Sequence, residues 1–375
     1  MDRAIYLDHN ATQPVRPAAA AAAAEAMAEV GNPSSVHRFG RLARRRVEQA
    51  RERVATLVGA VPAAVVFTSG GTEANTLALY GFPGRRILVG ATEHDSILNA
   101  APDATRIQVG PDGVIDLTAL DRALAAEPGP ALVSIQAANN ETGVIQPIVE
   151  IAGLVHRYGA LLHTDAVQAA ARLPFDLRTL RADLLTLSGH KLGGPMGAGA
   201  LVLRENLDLR PWLRGGGQER GLRAGTENVP GIAGLGAAAE LAALDRPGMG
   251  EVERLREELE ERILDAVPSA SILGKDAPRL PNTCCVAMPG VSSETQVMAL
   301  DLAGIAISAG SACSSGKVRR SHVLVAMGVA AEIAESAIRI SLGTDSRPEH
   351  IDRFVEGWAA IFARSGGERR RTAAR

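Results

Sequence analysis

Short apolar runs alternate with helix-like segments between about residues 60 and 205. Most of these runs lack the polar alternation of a half-exposed strand, which indicates strands that are covered on both faces. Because helical patterns separate the runs, the sequence predicts an α/β fold with a mostly parallel, doubly wound sheet. The seven strand candidates are residues 64–69, 86–91, 105–110, 131–139, 160–167, 184–190 and 199–204.

The pattern changes in the last third of the chain, where a charged amphipathic helix is predicted at residues 249–267. Short strands and helices follow it, which is typical of an α+β arrangement. We therefore predict a large domain at residues 13–245 and a smaller α+β domain. The smaller domain is expected to combine residues 1–12 with residues 246–375.

The composition is that of a globular protein without a strong attraction to polyanions. Of the 375 residues, 46% are apolar and 22% are charged, and the formal net charge is −2. A net charge this small gives no overall pull toward nucleic acid or an anionic membrane. The arginine-rich stretch 41–54 is interpreted as a solvated helix face, because Glu48 and Glu52 interrupt its positive charge. We therefore predict no binding to nucleic acid or to a membrane.

Cysteine content and hydropathy predict a soluble protein in a reducing compartment. The chain has three cysteines, of which Cys284 and Cys285 are adjacent, so they do not form a disulfide framework. No apolar stretch reaches the length that is needed to span a bilayer, and the run Ala18–Ala24 is predicted to be a helix. A cytoplasmic location is expected.

Polar residues suited to binding or catalysis cluster after the predicted strands, where ligands bind in open parallel sheets. Gly70, Gly71 and Thr72 lie between a strand and a helix, where free backbone N–H groups bind an anion or simply begin the helix. His94 follows the second strand candidate, and Asn140 lies in a turn after the fourth. Both residue types are also common at surfaces and in turns.

The next two strand candidates carry the most informative polar residues. Asp165 ends a strongly apolar strand, where an unpaired carboxylate is costly, so we expect it to have a cationic partner. Ser188, His190 and Lys191 end the following strand. An apolar setting disfavours an ammonium group, which predicts a lowered pKa and a nucleophilic amine for Lys191. Direct pairing of Asp165 with Lys191 is the alternative.

A lysine, a buried acid and a helix N-terminus together favour one cofactor. Pyridoxal phosphate (PLP) takes a lysine as a Schiff base, an acid at its pyridine nitrogen and a helix N-terminus at its phosphate. No metal site competes with this interpretation, since the eight histidines lack zinc-ligand spacing and the cysteines form no Cys-x-x-Cys pair.

Ten motifs, in order from residue 5 to about residue 345, resemble those of the cysteine desulfurases of the NifS/IscS type. The resemblance implies the fold-type I PLP-dependent transferase fold of the class-V aminotransferase group, with PLP as cofactor and a homodimer. The motifs are YLDHNAT, GNPSSVHRFG, FTSGGTEANTLAL, TEHDSI, NNETGVIQP, HTDAVQ, SGHKLGGPMGAGAL, GGGQERGLRAGTENVPGIAGLG, SAGSACSSG and SAIRISLG.

The resemblance also implies a role for each matching residue at the cofactor. Lys191 would hold PLP as a Schiff base, and Asp165 would bind its pyridine nitrogen. Gln168 would bind the ring hydroxyl, and His94 would stack on the ring and assist proton transfer. The phosphate would be held by Gly71, Thr72, Ser188 and His190, together with Thr226 of the partner subunit.

The implied reaction converts L-cysteine to L-alanine. Asn140 and Arg339 would bind the substrate, with Arg339 as the fork for its carboxylate. Cys313, on the segment of the small domain that would carry the catalytic thiol, would take the sulfur as a persulfide. It would then pass the sulfur to an iron–sulfur scaffold or to another acceptor protein, and the GGGQERGLRAGTENVPG stretch is closest to the nitrogen-fixation branch.

Other functions remain open on the sequence alone. The same cofactor would serve a thiol-independent lyase, such as a selenocysteine lyase, or a class-V aminotransferase. A non-catalytic scaffold with the same fold is the third alternative. Retention of Lys191, Asp165, His94, Cys313 and Arg339 together disfavours the scaffold.

Overall fold

The computed structural model describes residues 4–310 and 320–365. The strands in these ranges are β1 (Ile5–Tyr6), β2 (Val65–Thr68), β3 (Arg86–Gly90), β4 (Thr105–Ile107), β5 (Ala131–Ser134), β6 (Leu161–Asp165), β7 (Leu184–Ser188), β8 (Gly199–Leu203), β9 (Ser271–Ile272), β10 (Thr283–Ala287), β11 (Ile305–Ala306), β12 (Ser308–Ala309) and β13 (Ala337–Ser341). The helices are α1 (Pro17–Ala28), α2 (Arg38–Leu57), α3 (Gly71–Tyr80), α4 (Asp95–Leu98), α5 (Leu117–Ala126), α6 (Ile148–Arg157), α7 (Leu177–Leu180), α8 (Val229–Asp245), α9 (Met249–Ala266), α10 (Ser293–Leu302), α11 (His322–Ala326), α12 (Ala331–Glu335) and α13 (Pro348–Arg364).

All seven strand candidates from the sequence lie in one sheet, with the order β2-β8-β7-β6-β5-β3-β4. The pairs among β7, β6, β5, β3 and β4 are parallel, whereas β8 runs antiparallel to both of its neighbours. The predicted α/β fold with a mostly parallel sheet is therefore confirmed. Because β8 alone is reversed, the carboxyl ends of β2, β7, β6, β5 and β3 meet at one edge.

Both faces of this sheet are covered, as the apolar runs predict. Adjacent residues such as Val65 and Val66 of β2 point in opposite directions and are both completely buried. Val65 packs in the cluster that contains α2, α6 and α8, and Val66 packs in the cluster that contains α3 and α4. Two helical layers thus leave the carboxyl edge of the strands as the route by which a ligand reaches the sheet.

One predicted strand ends earlier than its apolar run. The run 131–139 pairs with β3 only as far as Ser134. The N–H of Gln136 then donates to the buried carboxylate of Glu93 at 2.8 Å instead of a backbone carbonyl of β3. A side chain therefore takes the place of the next backbone hydrogen bond between β5 and β3. Hydrophobic periodicity does not predict such a contact.

The remaining strands form a smaller assembly from both ends of the chain. A four-stranded antiparallel sheet has the order β12-β13-β10-β9, and β1 pairs in parallel with β11. The helices α9, α10 and α13 pack on it around the completely buried Trp358, whose Nε1 donates to Gln296 Oε1 at 2.8 Å. The first residues thus lie with the last third of the chain, while the domain boundaries at 13 and 245 stay predictions.

Residues 8–13 lead from β1 to the large sheet. Asn10, which is 1% exposed, donates from Nδ2 to Asn140 O at 3.1 Å and to Thr283 Oγ1 at 2.9 Å. Further along, Gln13 N donates to His190 O at 3.0 Å. This segment therefore contacts both assemblies within six residues.

Among the helices described, none is long and apolar enough to cross a membrane.

A buried ion pair holds a strained turn against the large sheet. The two carboxylate oxygens of Glu219 accept from the terminal nitrogens of Arg51 at 2.7 and 2.8 Å, and one also accepts from Phe67 N at 2.9 Å. Glu219 and Arg220 have φ values of 46° and 59°, a region that residues other than glycine rarely adopt. The ion pair thus fixes the start of the segment that leads to Thr226.

Replacement of Glu219 by alanine is expected to lower the free energy of unfolding by up to about 3–5 kcal/mol, because Arg51 stays buried and keeps only the more exposed Glu48 as a counter-charge. Denaturant unfolding followed by circular dichroism measures this loss. The matched control is Glu251→Ala, which removes an exposed partner of Arg254 and should leave the unfolding midpoint unchanged. Equal effects of the two substitutions would contradict the prediction.

Candidate active site

The carboxyl ends of β2 and β7 bring together the predicted phosphate-binding residues. A Cβ atom placed on Gly71 would lie 3.2 Å from Val167 Cγ2 and 3.4 Å from Ser188 Cβ. On Gly199 of β8, such an atom would lie 2.6 Å from Gly70 Cα, so only glycine lets the reversed strand pass this turn. The N-terminus of the ten-residue helix α3 therefore lies against Ser188, with the Thr72 side chain exposed beside it.

Asp165 ends β6 and is 8% exposed. Its Oδ2 accepts from Asn75 Nδ2 at 2.8 Å, and its Oδ1 accepts from Val167 N at 2.9 Å. Within residues 4–310 and 320–365, no Lys, Arg or His side chain lies within ion-pair distance of this carboxylate, so the alternative, direct pairing with Lys191, is wrong, and the expected cationic partner stays a prediction. Two neutral N–H donors stabilise the buried carboxylate.

His94 is connected to Asp165 through two side chains. Asn75 Nδ2 also donates to Ser96 Oγ at 2.8 Å, and Ser96 Oγ lies 2.9 Å from His94 Nδ1. The same His94 Nδ1 accepts from Ser96 N at 3.1 Å, at the start of α4. With Nδ1 as an acceptor, a neutral His94 carries its proton on Nε2, and the side chain is exposed.

Lys191 lies at the end of a 3-10 turn, Gly189–Lys191, that directly follows β7. Its Nζ donates to the carbonyl of Asn10 and, at 2.8 Å, to that of Ala11. The Asn10 carbonyl also accepts from Gln168 Nε2 at 3.0 Å. Two predicted site residues from different strand ends therefore share one acceptor on the N-terminal segment.

The electrostatic surroundings of Lys191 favour the uncharged amine. Burial, which is the largest cause, and the positive charges of Arg339 and Arg172 together lower its pKa to about 7, against the opposing effect of Asp8 and Asp165. This agrees with the direction that the sequence predicts. A lysine with such a pKa is a nucleophile at neutral pH.

Arg339 lies in the middle of β13, and only 5% of the residue is exposed. Its Nη2 donates to Asp8 Oδ1 at 2.7 Å and its Nη1 to Asn140 O at 3.1 Å. The Nε atom is buried, and it has no hydrogen-bond partner in the described part of the chain. Arg339 and Asn140 are thus brought together, and the Nε–H of the guanidinium is not used by any of the residues described.

Three further predicted residues have different outcomes. His190 Nδ1 lies 3.2 Å from Thr12 Oγ1, so it is held by the N-terminal segment. Thr226 is exposed, three residues before α8 begins. Cys313 lies outside the described residues.

Sequence reasoning misses four residues on which the site depends, namely Asn75, Asn10, Asp8 and Arg172. Arg172 is buried and donates to Gln168 Oε1 at 2.7 Å, which fixes the direction of that amide. Asn75 is the one residue of the four that a local pattern could have indicated, because it is a polar residue in a buried position of α3. No metal-binding group of three or more His, Cys, Asp or Glu residues occurs in the described ranges.

In the cofactor-free protein, the rate at which a small aldehyde and a hydride reagent alkylate Lys191 is expected to rise with pH around a midpoint of about 7. Arg339→Gln should move this midpoint to higher pH, because it removes a positive charge that lowers the pKa. Peptide mass spectrometry measures the labelling, and the exposed Lys275 controls for the pH dependence of the reagent. A midpoint near that of ordinary lysine, about 10, would contradict the prediction.

Comparisons with known proteins are consistent over nearly the whole chain. The family model "Aminotransferase class-V" matches residues 5–354. A cysteine desulfurase of Cereibacter sphaeroides is 47% identical over 367 residues, which cover 94% of each protein.

Solved structures show the same likeness. A NifS-like protein from Rickettsia africae has a TM-score of 0.90 at 38% identity, covering 96% of this chain and 100% of its own. A protein named SspA, solved in complex with cysteine, has a TM-score of 0.78 at 31% identity, covering 90% of this chain and 98% of its own. These likenesses confirm the resemblance and the fold that the motifs predict: the chain belongs to the class-V aminotransferase family, among its cysteine desulfurases of the NifS type.

Proposed function

We propose that this protein is a cysteine desulfurase that converts L-cysteine to L-alanine and transfers the sulfur to Cys313. The observation that carries the proposal is the amine of Lys191, with a pKa of about 7, on the same carbonyl as Gln168. The cysteine desulfurase of Cereibacter sphaeroides, which is similar over 94% of the chain, supports it. The bound cysteine in the similar SspA structure supports L-cysteine as the substrate.

The residues present fit PLP as the cofactor. A nucleophilic lysine, a buried carboxylate and the N-terminus of α3 lie at one sheet edge, as the aldehyde, the ring nitrogen and the phosphate of PLP require. Bound PLP supplies an electron sink for the bonds that break at the substrate.

Each residue then has a defined task. Lys191 holds the cofactor covalently and moves the α-proton of the substrate, and Asp165 holds a proton on the ring nitrogen. Gln168, oriented by Arg172, would bind the ring hydroxyl, and His94 would stack on the ring and assist proton transfer. The phosphate is held by Gly71, Thr72, Ser188 and His190, with Thr226 of the partner subunit in a homodimer.

Arg339 and Asn140 bind the substrate in this proposal. The unpartnered Nε of Arg339 and its neighbouring Nη provide a planar fork for the α-carboxylate. The proximity of the Asn140 carbonyl to this fork places Asn140 beside the carboxylate. Both residues are held by the N-terminal segment: Arg339 donates to Asp8, and the carbonyl of Asn140 accepts from Asn10.

The thiol step balances without an external oxidant. The thiolate of Cys313 forms an S–S bond to the substrate sulfur while the substrate C–S bond breaks. The electron pair of that bond stays with the carbon fragment, which is protonated and leaves as alanine. The persulfide on Cys313 then passes its outer sulfur to an iron–sulfur scaffold or another acceptor.

The buried thiols Cys284 and Cys285 are free, which supports a reducing, cytoplasmic location.

Purified wild-type enzyme with PLP, L-cysteine and a reductant is expected to release alanine and sulfide, whereas Cys313→Ala should release neither above background. Chromatography of alanine and a colorimetric sulfide assay measure the two products. Cys285→Ala is the control, because this thiol is completely buried and burial raises its pKa to about 12.

Equal activity of wild type and Cys313→Ala would refute the thiol step and favour a thiol-independent lyase. Conversion of L-cysteine to its keto acid without release of sulfide, with an added keto-acid acceptor consumed, would indicate an aminotransferase. An enzyme that binds no PLP would refute the cofactor assignment.

Arg339→Lys is expected to raise KM for L-cysteine by roughly 10- to 100-fold, because a point charge replaces the planar fork. Steady-state kinetics measure this effect, and the exposed Arg347→Lys serves as the control. An unchanged KM would exclude Arg339 from the carboxylate site.

A further inference from the structure

Arg339 is flanked by two acidic residues from different parts of the chain. Asp8, on the N-terminal segment, accepts from its Nη2 at 2.7 Å. Glu141 directly follows Asn140, whose carbonyl accepts from Arg339 Nη1, and the positive charge of Arg339 lowers the pKa of Glu141. The guanidinium therefore links these two carboxylates.

Asp8 also binds the chain just before residues 311–319. Its Oδ2 accepts from Ser308 Oγ at 2.8 Å, while its other oxygen pairs with Arg339. Ser308 itself lies opposite Arg339 in the β12–β13 pair. The position of Ser308 is thus fixed to Arg339 by the backbone register and by a shared carboxylate.

Glu141 binds the chain on both sides of the same residues. Its Oε2 accepts from Ser321 Oγ at 2.5 Å. The same oxygen would lie 3.2 Å from a Cβ placed on Gly310, so Gly310 packs directly against it. Residue 310 and residue 321 therefore meet at one carboxylate oxygen.

This carboxylate is costly where it lies, since the residue is only 4% exposed. Burial raises its pKa to about 7, although the Ser321 hydrogen bond and Arg339 favour its charged form. An apolar residue would fill this position without the desolvation cost, and in some proteins a buried charge at such a position fixes one arrangement of the chain.

We propose that Glu141 and Asp8 are positioning residues that fix the chain on either side of residues 311–319 to the neighbourhood of Arg339, and that the rate of sulfur transfer to Cys313 depends on these contacts. This inference rests on the proposed desulfurase function. It assigns to Glu141 a task in sulfur transfer rather than in cofactor or substrate binding.

The test compares two substrates on the PLP-loaded enzyme. L-Cysteine requires attack by the Cys313 thiol, whereas β-chloro-L-alanine loses chloride with its bonding electron pair and requires no thiol. Glu141→Ala is expected to slow single-turnover persulfide formation from L-cysteine roughly 10- to 100-fold, the size expected for a misplaced reacting group. Elimination from β-chloro-L-alanine should change less than about twofold, because Lys191 and Arg339 are retained.

Three further variants sharpen the comparison. Ser308→Ala removes the hydrogen bond to Asp8 on the N-terminal side of residues 311–319 and leaves Arg339 in place, so it should show the same selective loss. Glu335→Gln is the matched control, since its exposed carboxylate pairs with Arg320 next to the same residues. In Glu141→Ala combined with Ser321→Ala, the loss should be smaller than the sum of the two single losses, because both remove the hydrogen bond between these residues, although Ser321→Ala also removes the bond from Leu324 N at the start of α11.

The outcomes separate the inference from the proposed function. Equal slowing of both substrates by Glu141→Ala, or additive losses in the double variant, would overturn the positioning role. Full persulfide formation in a folded Glu141→Ala enzyme would also overturn it. Absence of persulfide in the wild type would instead refute the desulfurase function. Should Glu141→Ala fail to fold, Ser308→Ala decides by the same two rates.

Discussion

The carbonyl oxygen of Asn10 is the point on which the rest of the site depends. It accepts from Lys191 and from Gln168, which follow different strands of the large sheet. The side chain of the same residue binds the Asn140 carbonyl and Thr283 of the small sheet. One buried residue therefore aligns the nucleophilic amine with the residues proposed to bind the substrate, and a change in its position would move all of them together.

Much of the fold follows from the sequence because hydrophobic burial has a simple periodicity. All seven strands of the large sheet lie within the predicted apolar runs, and most of these strands are buried on both faces, whereas the edge strand β4 is exposed at Thr105 and Arg106. The end of β5 was not predictable, because it depends on Glu93, whose carboxylate takes the N–H of Gln136. Such a contact between distant residues leaves no periodic pattern in either segment.

The sequence predicted the types of residue in the site and the edge of the sheet at which they lie, but not their hydrogen-bond partners. Strand ends correctly indicate where Asp165, Ser188 and Lys191 meet, because parallel strands expose their carboxyl ends together. Asp165 accepts from the neutral amide of Asn75 and does not pair with Lys191, and desolvation arguments alone do not distinguish the two partners. The contacts of Asn10 escape prediction for another reason, since residues 8–13 are irregular.

The pairing of β1 with β11 has a consequence for the order in which the enzyme is assembled. Ile5 leaves the ribosome 300 residues before Ile305, with which it pairs, while the large sheet can already form from residues 65–203. Contacts this distant in sequence form slowly, because a long loop must close before they are gained. The hydrogen bonds from Lys191 to the carbonyls of Asn10 and Ala11 therefore form late. The large sheet of a nascent chain is complete before the surroundings that make the Lys191 amine reactive are in place.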